Sequence, residues 1–312
     1  MDATLNAGLC ARVCLVCVAL LLTTVSEGEA YLFGVTYSPY RTFGACPSDA
    51  EIREDVGMLL QHARRIRIYS LECDNVNRIL MEEANKGTLS LMLGVWLDNR
   101  GTDQKEIDTL FALLRQYPSA DIYGICVGNE AIFRGTLSAG EIAGRITEVR
   151  NTVHSQSYEM NMPWLRMIPI YTMEAFVHDE VVAVSDRVGI NIHPFYHSNL
   201  SSSQDSETMS DMAVKRAFNT LDIMRAVSHG KEVVIGEIGW PTAATSQDMP
   251  ASVDIAKKFM DKFTAQAGSH GAQYFWFELF DSSWKYQLVG QDWNKPDLHF
   301  GMYYPDRHTK KW

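Results

Sequence analysis

Glycine-rich nucleotide loops are missing from the 312 residues: no Gly-x-Gly-x-x-Gly follows any strand-like run, and no phosphate loop occurs. That removes the dinucleotide fingerprint of doubly wound sheets. A Gly-x-Ser-x-Gly elbow is also lacking, which excludes the usual strained serine nucleophile. Basic residues are outnumbered, with 28 Lys+Arg against 38 Asp+Glu and a net charge of -10. An acidic chain of this kind does not seek phosphates, so no nucleic-acid partner is expected. His193 and His197 are four apart, but Pro194 stands between them at a strand end. Helical His-x-x-x-His geometry therefore does not apply, and neither a metal nor a cofactor is expected.

Long apolar runs are equally scarce. Val13 to Leu22 is a run of ten, too short to span a bilayer. With Arg12 before it and the small-x-small sequence Gly28-Glu29-Ala30 after it, the run predicts a secretory signal over 1–30 and a mature domain over 31–312. The hydrophilic end His308 to Trp312 predicts no lipid anchor, so the expectation is a secreted, extracellular or cell-wall protein without a membrane anchor. Cysteine is sparse too. Cys10, Cys14 and Cys17 fall in the leader, leaving Cys46, Cys73 and Cys126. In an oxidising compartment the two loop cysteines, Cys46 and Cys73, are the expected disulfide, and Cys126, inside the apolar run Ile122 to Val127, is a buried thiol. Asn199-Leu200-Ser201 is the one glycosylation sequon, making Asn199 the expected acceptor.

What is present is a regular alternation. Strand-like runs cover 32–37, 66–69, 89–97, 122–127, 165–171, 188–193, 233–236 and 272–280. Helical patterns lie between them, two opened by the capping boxes Ser48–Glu51 and Ser138–Glu141, and others at about 174–184, 207–229 and 251–267. Eight βα units without a linker or composition break predict one (β/α)8 TIM barrel, with an open doubly wound sheet as the alternative.

In such a barrel the C-terminal strand ends carry the chemistry. Strand four ends in Asn129-Glu130, and strand seven runs Val233-Val234-Ile235-Gly236 into Glu237 and then Ile238-Gly239-Trp240-Pro241. A carboxylate where a buried strand meets a loop is costly unless it is paired or working. Two of them, with tyrosine and tryptophan at neighbouring strand ends, suit glycoside hydrolysis, which needs one protonated carboxyl and one carboxylate. Glu130 is the candidate acid/base and Glu237 the candidate nucleophile. Asn129 is expected on the sugar 2-hydroxyl, with Arg67 and Tyr196 orienting Glu237. Tyr37, Tyr69, Trp240, Trp276 and Glu278 are expected to line the substrate site, and Trp96, Phe133 and Trp284 are further strand-end aromatics. The alternative is a glycan-binding barrel with weak or lost catalysis.

Val127-Gly128-Asn129-Glu130, Gly236-Glu237-Ile238-Gly239-Trp240-Pro241, Ile66-Arg67-Ile68-Tyr69-Ser70 and Phe275-Trp276-Phe277-Glu278 resemble glycoside hydrolase family 17 over essentially all of 31–304. The closest likeness is to its fungal-type cell-wall β-1,3-glucanases and glucanosyltransferases. The resemblance implies a barrel acting on β-1,3-glucan or its oligosaccharides with retention, Glu130 as acid/base and Glu237 as nucleophile; a monomer is expected. The family commonly reads Phe-Asp-Glu after strand eight, with a lysine three positions past that glutamate. Here the run is Phe280-Asp281-Ser282-Ser283-Trp284-Lys285: Lys285 is kept as a substrate-site residue, whereas Ser282 replaces the auxiliary acid.

Overall fold

The computed structural model describes residues 31–197, 205–244 and 250–312; the expected leader and Asn199 lie outside them. Eight parallel strands pair in chain order and close into a barrel: β1 (Val35–Thr36), β2 (Arg65–Arg67), β3 (Ser90–Val95), β4 (Ile122–Asn129), β5 (Ile170–Glu174), β6 (Val188–Ile192), β7 (Val233–Ile238) and β8 (Gln273–Trp276). Closure is made by Val35 of β1 opposite Trp276 of β8. On the outside run α1 (Asp49–His62), α2 (Asp74–Asn85), α3 (Asp103–Gln116), α4 (Ala139–Glu159), α5 (Asp179–Val184), α6 (Ser206–Ala226) and α7 (Val253–Ala267). Both predicted capping boxes form, Ser48 with Glu51 and Ser138 with Glu141, each satisfying two helix-start amides that would otherwise lack partners.

Strand residues alternate between two cores. Met92, Cys126, Tyr171, Met173, Val234 and Phe275 fill the barrel interior, so Cys126 is a buried free thiol. Their sequence neighbours, such as Leu91, Leu93, Ile125, Ile170 and Ile235, pack outward against the helices. Burial on both faces is why these strands read as continuous apolar runs.

Two elements depart from the expected pattern. The run 165–171 is not strand five: Pro163–Met167 is a 3-10 turn, and β5 starts at Ile170. Pro163 opens that turn with a fixed φ, and Pro169 has no N–H to give a ladder, so pairing begins after it. The helix expected from 174 consequently shortens to α5. No eighth helix follows β8 among the described residues; 3-10 turns at Ser283–Gln287 and Pro296–Leu298 stand in its place.

Cys46 and Cys73 form the disulfide, tying the loop after β1 to the residue that opens α2. Constraining the 27-residue separation contributes about 3.5 kcal/mol in the chain-entropy account. At the C-terminal mouth the register of β4 shifts between Cys126 and Asn129, that of β6 between Ile190 and Asn191, and that of β7 between Ile235 and Ile238. Such irregularities re-aim side chains. They fall on the strands that carry Asn129, Asn191 and Glu237.

Candidate active site

One chain of hydrogen bonds crosses the mouth of the barrel. His193, just past β6, meets Glu237 Oε2 through Nε2 at 3.0 Å. Arg67, on β2 and 1% exposed, donates through Nη1 to Glu237 Oε1 at 3.1 Å and to the Gly236 carbonyl at 2.7 Å, and through Nη2 to Asn129 Oδ1 at 2.6 Å. Asn191, on β6, donates to that same Oδ1 at 3.2 Å and to Glu130 Oε1 at 2.9 Å. Gly236 is required here: a Cβ would meet Met173 Sδ at 2.5 Å, Asn191 Oδ1 at 2.7 Å and Arg67 Nη1 at 2.9 Å. A guanidinium has only donors, so the Asn129 atom facing it is the carbonyl oxygen, and the amide NH2 remains as the donor for a ligand.

The two glutamates are driven apart electrostatically. Burial works to raise the Glu237 pKa, but the His193 hydrogen bond and the Arg67 charge outweigh it and hold the carboxyl at about 2. Glu130 moves the other way, raised by burial and then by the negative Glu237, against the Asn191 bond. The same mouth thus lowers the pKa of one carboxyl and raises that of its partner, so that Glu237 gives up its proton well before Glu130 does. Since the ionised Glu237 can only accept, Nε2 of His193 carries the proton; its Nδ1 is buried and meets no hydrogen-bond partner among the described residues.

Glu278 follows β8 and is 2% exposed. Burial pushes it up to about 7 against the pull of Lys285, 3.8 Å from Oε1, and of the Ser282 hydroxyl, which donates to Oε2 at 2.8 Å. Ser282 therefore serves as a hydrogen-bond donor to this buried acid. Tyr69 lies under the Arg67 guanidinium, 4.7 Å from ring centre to Cζ.

The structure moves several expected residues away from the cleft. Tyr37 is buried on the helix side, its hydroxyl bonded to Asp55 at 2.7 Å in a cluster with Arg307. Trp276 packs outward on Phe259, and Trp240 wedges between Phe195 and Phe259 with Nε1 donating to the Pro250 carbonyl. All three are core residues rather than sugar-lining ones. The period-two alternation of a strand puts neighbours on opposite faces, and position at a strand end alone does not say which. Tyr196 makes no hydrogen bond to Glu237 among the described residues; His193 does so instead, and Tyr196 stands 50% exposed against it and Phe300. Weighed only as a metal ligand, His193 was missed in its actual place, as was Asn191. Both stand in the strand-six run Asn191-Ile192-His193, and that position was their signal. The accessible aromatic rim comes from other positions. Phe133 is 62% exposed beside Phe176, Trp96 lies under Arg134, and Trp284 packs on Tyr40.

A closed parallel barrel with two strand-end glutamates whose pKa values are shifted in opposite directions has the architecture of a glycoside hydrolase. The family model of the BtgE/BtgC glycoside hydrolase domain matches residues 34–294, and the chain belongs to that family. It is 27% identical over 307 residues to the probable glucan endo-1,3-beta-glucosidase btgC of Aspergillus terreus, covering 89% of this chain and 44% of that protein. Against the probable beta-glucosidase btgE of the same organism it is 27% identical over 265 residues, covering 84% of this chain and 44% of the relative. The chain thus spans less than half the length of these relatives. Among solved structures it resembles the glycoside hydrolase family 17 beta-1,3-glucanosyltransferase of Rhizomucor miehei, with a TM-score of 0.73 at 22% identity over 91% of this chain and 97% of that one. An active-site mutant of that Rhizomucor enzyme in complex with laminaritriose gives a TM-score of 0.72 at 22% identity, over 91% and 97% of the two chains.

Proposed function

We propose that this protein cleaves β-1,3-glucan or its oligosaccharides with retention of anomeric configuration. The observation that carries the reading is the hydrogen-bond chain that joins Glu130 to Glu237 through Asn191, Asn129 and Arg67, with the two pKa values shifted in opposite directions. In the first step a Glu237 oxygen attacks the anomeric carbon while Glu130 gives its proton to the leaving glycosidic oxygen, and the C–O bond breaks. In the second, Glu130, now a carboxylate, takes a proton from water or from a sugar hydroxyl, which displaces Glu237 and restores it. Asn129 donates its amide to the 2-hydroxyl, and Arg67 and His193 keep Glu237 ionised and aimed. Tyr69, Tyr196, Glu278 and Lys285 lie around the bound sugar, with Phe133 and Trp284 offering faces to its C–H surfaces. The substrate assignment is supported by the relative named as a glucan endo-1,3-beta-glucosidase and the structural neighbour named as a beta-1,3-glucanosyltransferase. Secretion to the wall or medium is supported by the apolar leader and the Cys46–Cys73 bridge. No helix among the described residues is long and apolar enough to cross a membrane.

The test is product analysis on laminari-oligosaccharides. Shorter products of retained β configuration support the reading, and products longer than the substrate at high concentration mark transfer to a sugar acceptor. Absence of any chain-length change across the acid-to-neutral range would sink it. The pH dependence of kcat/KM is expected to be bell-shaped. Activity falls on the acid side only as Glu237 gains its proton near pH 2, and on the alkaline side as Glu130 loses its proton above the ordinary glutamate range. A rate flat from pH 4 to 8 would count against the assigned pair.

A further inference from the structure

Glu130 has a backbone φ of +50°, the left-handed region that a residue with a Cβ enters only against steric strain. Strain of this kind persists only where surrounding contacts over-determine it. Here they come from the end of β5. The Glu130 amide donates to the Met173 carbonyl at 2.7 Å, and the Glu130 carbonyl accepts from the Arg134 amide at 2.8 Å, closing one tight turn. The next residue on β5 is Glu174, 3% exposed, with no salt bridge among the described residues. Its Oε1 accepts from the Ile132 amide at 3.2 Å and its Oε2 from the Phe133 amide at 3.4 Å. A buried carboxylate with no counter-cation is expensive, and burial pushes this one up to about 7. Two backbone donors of a single turn are its compensation. The titratable and charged groups around it are Glu130 itself, Arg134 in the turn, and His178 and Arg187, which line the small cavity that Glu174 also lines.

We propose that Glu174 is a positioning residue for Glu130: its carboxyl group grips the amides of Ile132 and Phe133 and thereby fixes the strained turn that aims the Glu130 carboxyl into the mouth. The proposal rests on Glu130 being the acid/base. It requires that loosening Glu174 harm proton delivery more than sugar binding. Gln at this position keeps the volume but turns one acceptor into an NH2 that opposes a backbone N–H. With laminari-oligosaccharides, E174Q is expected to lower kcat roughly 10- to 100-fold, the range that follows from small misplacement of a catalytic group, while KM changes less than about twofold. A dinitrophenyl β-laminaribioside, whose leaving group departs without a proton, is expected to show a burst rate lowered less than about threefold. E174D keeps a carboxyl group but reaches one amide, and is expected to fall between wild type and E174Q with the same leaving-group dependence.

Equal losses on both substrates, or no loss on the oligosaccharide, would overturn the proposal. Amide hydrogen exchange gives a readout independent of catalysis: Ile132 and Phe133 should exchange at least about tenfold faster in E174Q than in wild type, and unchanged protection also overturns it. Inactivity of the wild-type protein would remove the glycosidase reading while leaving that exchange result to judge the clamp by itself. Should E174Q fail to fold, E174D carries both measurements.

Discussion

Glu237→Gln is expected to abolish turnover of laminari-oligosaccharides, a loss on the order of 10^5-fold, the size seen when a covalent nucleophile is removed. The amide keeps an oxygen for Arg67 and preserves the shape of the site, so the fold should survive and the loss should lie in kcat. Glu237→Ala sharpens the assignment by opening room where the carboxylate stood. Added azide can then attack the anomeric carbon from the same side, once, and the product should be the inverted α-glycosyl azide. Glu130→Ala differs in kind: attack by Glu237 still occurs on substrates with good leaving groups, and azide intercepts the glycosyl-enzyme to give a β-azide. A β-azide from Glu237→Ala, or E237Q activity within about a hundredfold of wild type, would show that the two roles are wrongly assigned.

The barrel was legible because eight apolar runs alternate with helical stripes, and burial on both strand faces leaves that pattern intact. Position at a strand end picked out Glu130, Glu237, Asn129 and Arg67, which one hydrogen-bond chain brings together. It misplaced Tyr37, Trp240 and Trp276, because the direction of a side chain at a strand end depends on register, and register depends on pairing partners that sequence does not reveal. The shifts at Gly128 and between Ile235 and Ile238 are of this kind. Strand five slipped for a simpler reason, two prolines bracketing an apolar stretch that looks strand-like by composition. His193 and Glu174 were hidden differently. A histidine four from another histidine invites a metal reading, and a glutamate beginning an expected helix invites a solvent reading; only the partners each one meets, Glu237 Oε2 and two turn amides, give them their places.

Arg67→Met tests the centre of the hydrogen-bond chain and should have the largest effect on stability. The side chain is 1% exposed and serves three acceptors on β4 and β7 at once: Asn129 Oδ1, the Gly236 carbonyl and Glu237 Oε1. Methionine fills the stem volume but leaves a buried carboxylate without its cation, which costs about 3–5 kcal/mol. For a domain of this size that corresponds to a Tm drop of about 6–15 °C. The pH dependence gives the sign. Glu237 is depressed to about 2 in the folded protein, so its ionised form contributes stability above the ordinary glutamate range, and that contribution is lost as pH falls through 2. The gap between wild type and Arg67→Met should therefore be widest above about pH 4.5 and close towards pH 2. The acid limb of kcat/KM should move to higher pH in the variant, because burial, no longer opposed by the Arg67 charge, favours the protonated nucleophile. Arg67→Lys restores a charge but offers one nitrogen in place of a fork, so it should recover part of the pH shift and little of the hold on Asn129. An Arg67→Met protein with wild-type Tm and an unmoved acid limb would mean that Arg67 neither stabilises the mouth nor ionises Glu237, leaving His193 alone to hold the nucleophile.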